Sequence, residues 1–409
     1  MNAAPCLAAR VIAVSPAGSD QAAGTESAPF LTLGKAISAS AAWDTVRIAP
    51  GEYDCGGFSG EVNHPLAITG SGMDKTVLKN FGVLKFTQTL RVKDLAFTDS
   101  PGPVLVPFTA EGAKLENVLI ENCAFINVSR GIDTDDVCRG IITGFTVRLC
   151  DFKNMKGAKV LGIAITSGVI SKAAITDNTF QNLESAAKIC TAIAVGGNKT
   201  RGTTRDIIIS GNRMEGIVGP VKTATAPGAE THGILAYGEQ IQILKNTIKG
   251  VNAGGDHEAI YLKASNSLIA ENVLEECSSD QGDIGIKGAE ETHDNVIRDN
   301  RIFGQGRGLG IYAHGSVTVK GNGVKKPNGE FGIRIYAYQK PVVIEGNYVE
   351  ARENSVRISD AADAVIIGNR LVSLNREAID LTGSCKVKQM ENNKTHKGPN
   401  PPADWQRLK

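Results

Sequence analysis

Aromatic side chains are scarce in this sequence, at 5% of residues with only two tryptophans, so a compact core built on large rings is excluded. No apolar run reaches the roughly 20 residues of a membrane-spanning helix. Net charge is absent too: 44 Lys and Arg against 43 Asp and Glu leave +1. Such a balance gives no global field to draw nucleic acid or an anionic membrane, and neither is expected as a partner. No CxxC pair occurs among the eight cysteines, which removes zinc-ribbon and thioredoxin-like readings. Their even number permits disulfides without showing them. The opening MNAAPCLAARVIAV lacks the basic stretch and long apolar core of a signal peptide.

Glycine, by contrast, is abundant, with 46 residues in 409. One phrase recurs: an aliphatic residue, two spacers, Asn, one spacer, a large apolar residue. It reads ITDNTF at Asn178, ISGNRM at Asn212, ILKNTI at Asn246 and IAENVL at Asn272. It continues as IRDNRI at Asn300, VKGNGV at Asn322, IEGNYV at Asn347 and IIGNRL at Asn369, with LIENCAF at Asn122 read as an earlier copy. Between copies lies a second strand, as in HGILAYG, EAIYLKA, LGIYAHG and FGIRIYA. Short strands at a step of mostly 22 to 34 residues, with no helical period between them, describe a solenoid of strands. Linked by turns and repeated, they predict an all-β, right-handed, single-stranded parallel β-helix. The repeated Asn is structural: a buried amide needs backbone partners, which a stacked ladder supplies. A solenoid end must be capped, and the amphipathic stretch from Leu31 to Ala41 is expected to be that helix. One domain, 1–393, is followed by a Pro-rich polar tail, 394–409.

The opening GSD…GT…PFLTLGKAI…DTVRIAPGEY and the Asn-turn repeats together resemble the pectate-lyase-like superfamily over roughly residues 10 to 393. That resemblance implies the fold; the superfamily spans lyases, hydrolases, epimerases and non-catalytic binding proteins. The segment DHEAIYLKASNSLIAENVLEECSSDQGDIGIKGAEETHDNVIRDNRI resembles more narrowly the catalytic segment of the alginate lyase and chondroitinase B family. The resemblance implies that Asp256 and Glu258 hold calcium and that Lys263 is the base. Lys287 stands where that family has an arginine.

Aligning strands on their inward aliphatics puts Tyr237, Lys263, Lys287, Tyr312 and Tyr336 in one outward row, and Tyr261, Gly285, Gly310, Arg334 and Arg357 in the next. Tyrosines offer flat faces to pyranose rings, and Lys and Arg pair with carboxylates. His257, Tyr237, Tyr261, Tyr312, Tyr336, Arg334 and Arg357 are therefore expected to line a groove for an acidic polysaccharide, with Gly285 and Gly310 leaving room. Two ammonium groups about 5 Å apart repel by about 3 kcal/mol at an effective dielectric near 20. On this alignment one lysine has its pKa depressed by about two units, as a general base requires. The expected activity is β-elimination on a uronic-acid polymer, with Lys263 and Lys287 catalytic, in a secreted or periplasmic mature chain. The alternatives are a hydrolase built on Asp133, Asp135 and Asp136, a uronate epimerase, and a non-catalytic glycan binder. His232, His293 and His314 are further polar candidates.

Overall fold

A computed structural model gives the fold and describes residues 9–134, 137–197, 203–220, 230–252, 257–277 and 283–405, the side chains of Asp283 and Ile284 aside. The chain winds into a parallel right-handed β-helix of about 13 turns. Each full turn contributes a strand to three ladders, and every ladder pairing is parallel, as in Phe125↔Phe152 and Tyr312↔Arg334. The short helix is Leu33–Ala39, capped by Thr32, whose hydroxyl accepts from the Lys35 N–H. It turns Leu33, Ala36 and Ile37 onto the first rungs, as a cap should. At the other end Lys394–Lys397 still pairs with Arg370–Ser373, so the last rung runs past the expected boundary at 393.

Inside, stacked side chains set the rise. Phe125, Phe152 and Phe180 stack at 4.7 Å, nearly coplanar, which is the spacing of adjacent strands. The Asn ladder continues the column of polar contacts. Asn272 donates from Nδ2 to the Ile243 carbonyl (2.9 Å) and to Asn300 Oδ1 (2.9 Å). Its own Oδ1 accepts from Asn246 N and Nδ2 (2.9 and 3.0 Å). The same pattern runs from Asn178 to Asn393. Asn122 is not in it. Cys123 and Cys150 occupy the equivalent earlier positions, with the Cys150 N–H donating to Asn178 Oδ1. Asn122 sits one residue off, in the left-handed region at φ 51°, its Nδ2 on Asp94. Seven cysteines, Cys55 to Cys385, are free thiols.

The third ladder carries the candidate site. Its strands run from Ser59–Val62 through Arg130–Asp133, Val160–Ile165, Cys190–Val195 and the first half of Thr231–Leu244. They continue through His257–Ser265, Asp283–Gly288, Leu309–His314, Phe331–Tyr336 and Asn354–Ser359 to Ile379–Thr382. A bend breaks their alternation. Two successive residues face inward: Ala259 with Ile260, and likewise Gly233, Gly285, Gly310 and Gly332 with the isoleucines that follow. A Cβ added at Gly285 would lie 2.8 Å from Ile302, and one at Gly310 2.3 Å from Val324. These glycines are small because the core is full, and they leave no gap in an outer groove.

Candidate functional site

The bend sets the true rows. Tyr261 pairs with Lys287, Lys287 with Tyr312, Tyr312 with Arg334, Arg334 with Arg357 and Arg357 with Asp380. This second row holds the groups that the sequence split between two. The third row runs Tyr237, Lys263, then Ala289 by the same register, then His314, Tyr336 and Ser359. Lys263 and Lys287 are thus not stacked. They are diagonal neighbours that share one ring: each ammonium lies 4.5 Å from the centroid of Tyr261.

That geometry overturns the expected electrostatics. Burial by itself would lower the Lys263 pKa, but the Tyr237 hydroxyl and the nearby Tyr261 and Glu230 outweigh it, and the value is raised. The ammonium also lies 4.9 Å from the Tyr237 ring, and such cation–π contacts favour the charged form. Among the described residues no carboxylate reaches ion-pair distance of Lys263. It is a half-buried cation held by the Tyr237 hydroxyl and the faces of Tyr237 and Tyr261.

Lys287 differs. Its ammonium donates to Glu258 Oε1 at 2.7 Å, and Glu258 Oε2 lies 3.1 Å from His232 Nε2. Glu258 is 1% exposed. Burial pushes its carboxyl up, but the His232 contact and the Lys287 charge pull harder, and it stays below the usual value. The His232 ring in turn lies tilted by 31° against Tyr261, 5.6 Å between centroids. Glu258, His232, Lys287, Tyr261 and Lys263 therefore form one connected unit.

Calcium does not fit the described part of this unit. It takes six to eight oxygens, whereas Glu258 already has a donor or an imidazole on each oxygen. Asp256 lies outside the described residues. His257 is fully buried and forms no wall of the groove.

Further along, His314 sits among rings: Tyr312 edge-on at 4.8 Å, Tyr336 at 5.6 Å and Tyr338 at 5.7 Å. Burial pushes its pKa below the usual imidazole value; Lys287 and Arg334 add to the effect and Glu290 opposes it. Its Nδ1 is buried without a hydrogen-bond partner. The Tyr312 hydroxyl is held protonated to higher pH by burial. Arg334 lies over Phe331 and Tyr336 at 4.9 Å and bonds the Tyr336 hydroxyl. Arg357 pairs with Asp380 at 3.4 Å. By register Ala289 stands between Lys263 and His314, so two rungs, about 10 Å, separate them, and His314 is 4% exposed. Tyr338 was missed from sequence; its signal is the alternation Tyr336–Ala337–Tyr338, cut short by a left-handed turn at φ 49°.

The alternative carboxylates are elsewhere. Asp133 is buried on Arg130 at 2.8 Å, four rungs before Tyr261 in the second row, about 19 Å away. Asp135 and Asp136 lie outside the described residues.

Comparison with known proteins gives two family matches. Residues 197–397 match the family described as periplasmic copper-binding protein (NosD), and residues 16–74 match a protein family of unknown function, DUF1565. Among the described residues no three His, Cys, Asp or Glu side chains gather as a metal site. No curated protein matches. Among solved structures, the Azotobacter vinelandii mannuronan C-5 epimerase AlgE6 A-module is 13% identical over 90% of this chain and 93% of its own, with a TM-score of 0.49. The periplasmic alginate epimerase AlgG is 10% identical over 90% and 83%, TM-score 0.44. The Eubacterium ramulus GH136 lacto-N-biosidase is 11% identical over 95% and 68%, TM-score 0.46. At these values the likenesses carry no argument about chemistry. The ladders themselves show the parallel β-helix fold that the resemblance to the pectate-lyase-like superfamily implied.

Proposed function

We propose that this protein is a carbohydrate-active enzyme that cleaves a uronic-acid polysaccharide by β-elimination in the groove from Tyr237 to Arg357. One observation carries the reading: the Lys263 and Lys287 ammonium groups share a single tyrosine ring, with Lys263 lacking a carboxylate partner among the described residues. A sugar carboxylate supplies that partner, and the tyrosine carries the ring. Neutralising the carboxylate acidifies the C5 proton. Lys263 is charged and serves that neutralisation, together with Lys287 or Arg334. The base is the uncharged group two rungs away, His314. It takes the C5 proton; the electron pair forms the C4–C5 double bond as the C4–O bond breaks. Tyr312, which keeps its proton, gives it to the leaving oxygen. No step runs through calcium or copper. A secreted or periplasmic location goes with a polymeric substrate.

The test is a panel of uronate polysaccharides (alginate, pectate, chondroitin and dermatan sulfate, hyaluronan, heparan sulfate), followed by short-ultraviolet absorbance and reducing ends together. A rise in both supports elimination, and loss of that rise in His314→Gln supports the base. Reducing ends without absorbance would replace the lyase by a hydrolase. An altered uronate configuration without cleavage would make it an epimerase, which shares the proton abstraction.

A further inference from the structure

A second concave site lies at the corner between the second and third ladders, well before the groove. Successive turns stack there: 99–101, 127–130, 157–159 and 185–189. They line an open depression of about 980 Å³. Four basic side chains line it, Arg130, Lys156, Lys159 and Lys188, against one acid, Asp99. Arg130 is already paired with Asp133 at 2.8 Å, and Lys156 with Glu184 at 3.0 Å, the latter on open surface. Asp99, the one acid in the lining, keeps its charge while accepting from Asn127 Nδ2 at 3.1 Å, so with Asp133 and Glu184 three acids stand against the four basic groups. Lys159 and Lys188 have no carboxylate within ion-pair distance among the described residues. They stand on adjacent, hydrogen-bonded turns of the cleft wall.

The turns are fixed without any ligand. Ser129 Oγ donates to the Pro101 carbonyl at 2.7 Å. Ser185 Oγ lies 2.7 Å from the Lys188 carbonyl oxygen and 2.9 Å from that of Ala158. The Lys188 N–H donates to the Ala158 carbonyl at 2.7 Å. A cationic cleft whose backbone is already ordered binds an anion without a large ordering cost.

Size and lining narrow the ligand. The volume is at the upper end of small-molecule sites, roughly 300–1,000 Å³, far more than one phosphate fills. Apart from the basic residues and Asp99 the lining is Ser, Asn, Gly, Ala and Pro. It has no aromatic platform on which nucleic-acid bases could stack and no apolar wall for a hydrophobic cofactor. Hydroxyl-rich ligands with spaced negative charges suit it. We infer that this cleft is a second binding site, for the anionic groups of an acidic oligosaccharide, separate from the tyrosine–lysine groove. Arg130 stands in the same row as Glu258, four rungs or about 19 Å away along the axis, while the Lys188 turn leads into the strand Cys190–Val195, two rungs before Glu258. The inference does not depend on the groove being catalytic.

The experiment uses the full chain in the Lys263→Ala background, which weakens binding in the groove. Calorimetric titrations with hexameric fragments of alginate, pectate and chondroitin sulfate are compared between that protein and one also carrying Lys159→Ala and Lys188→Ala. Equal melting temperatures confirm that both fold. The expected result is binding to at least one fragment, weakened about tenfold or more by the two added substitutions and weakened by salt in the parent. Equal affinity in both proteins overturns the inference, as does no binding by any fragment to the parent. Equally tight binding of inorganic phosphate, of a neutral hexasaccharide or of single-stranded oligonucleotide overturns the assignment of ligand class.

Discussion

Glu258 is the pivot of the groove, and Glu258→Gln tests whether it acts as one. The carboxylate is almost fully buried, with Lys287 at 2.7 Å and His232 at 3.1 Å. Breaking a buried pair by removing one partner costs about 3–5 kcal/mol. The Lys287 side chain is 20% exposed and recovers some hydration, which lowers the expectation to about 2–4 kcal/mol. The pH dependence has a definite sign. The folded pKa of Glu258 is below its ordinary value of 4.5, so its contribution is complete above that pH. It is lost as pH falls through the lower, folded value. Urea denaturation from pH 7 to pH 3, monitored by circular dichroism, reads both effects. The variant should unfold at lower urea at pH 7 and approach the parent at the acid end. A double-mutant cycle with Lys287→Met isolates the pair. A loss under about 0.5 kcal/mol at pH 7, with an unchanged pH slope, would refute the account of Glu258 as partner to a buried cation.

Other outcomes follow from the same geometry. If neutral His314 is the base, activity rises with pH through a value below its ordinary 6.5 and is flat at neutrality; a Lys263 base would instead demand pH above 10.5, since its pKa is raised. Asn272→Ala removes the acceptor for Asn246 and the donor to the Ile243 carbonyl, leaving buried groups unsatisfied, and should cost about 3 kcal/mol or more in urea denaturation. Cys123 and Cys190 are buried, and burial pushes the Cys190 thiol up to about 12, so neither should react with iodoacetamide until urea unfolds the chain, as peptide mass spectrometry would show.

The repeat was legible because each Asn must answer the next, which forces the same residue at the same phase of every turn. The slip at Asn122 has a physical cause: a thiol can stand at the top of the ladder, where Cys150 needs only to donate its N–H to Asn178. Fold class, Asn ladder and capping helix all come from periodicity and composition, which a solenoid repeats many times. The groove residues Lys263, Tyr261, Tyr312, Arg334 and Tyr336 were found as a set, but their rows were not. Strict alternation paired Lys263 with Lys287, while the bend at Ala259 and Gly285 places two residues inward in succession and shifts the outer face. A single turn carries no signal for that bend beyond a small residue before an isoleucine. The same shift hid the partnership of Glu258 with Lys287 and His232, because these groups lie on different turns and meet only when the coils are stacked.

The Asn ladder has one more consequence. From Asn178 onward each rung presents the same amide N–H pair to the next and the same side-chain oxygen to the one before, so no such rung recognises its neighbour in particular. The interval from Asn300 to Asn322 is one such unit of 22 residues. Gaining or losing a unit of this kind rejoins matching ends, and the outer face grows or shrinks by one rung of about 4.8 Å. Descent by duplication can thus lengthen the groove stepwise, altering how many sugars it spans while the interior stays as it was.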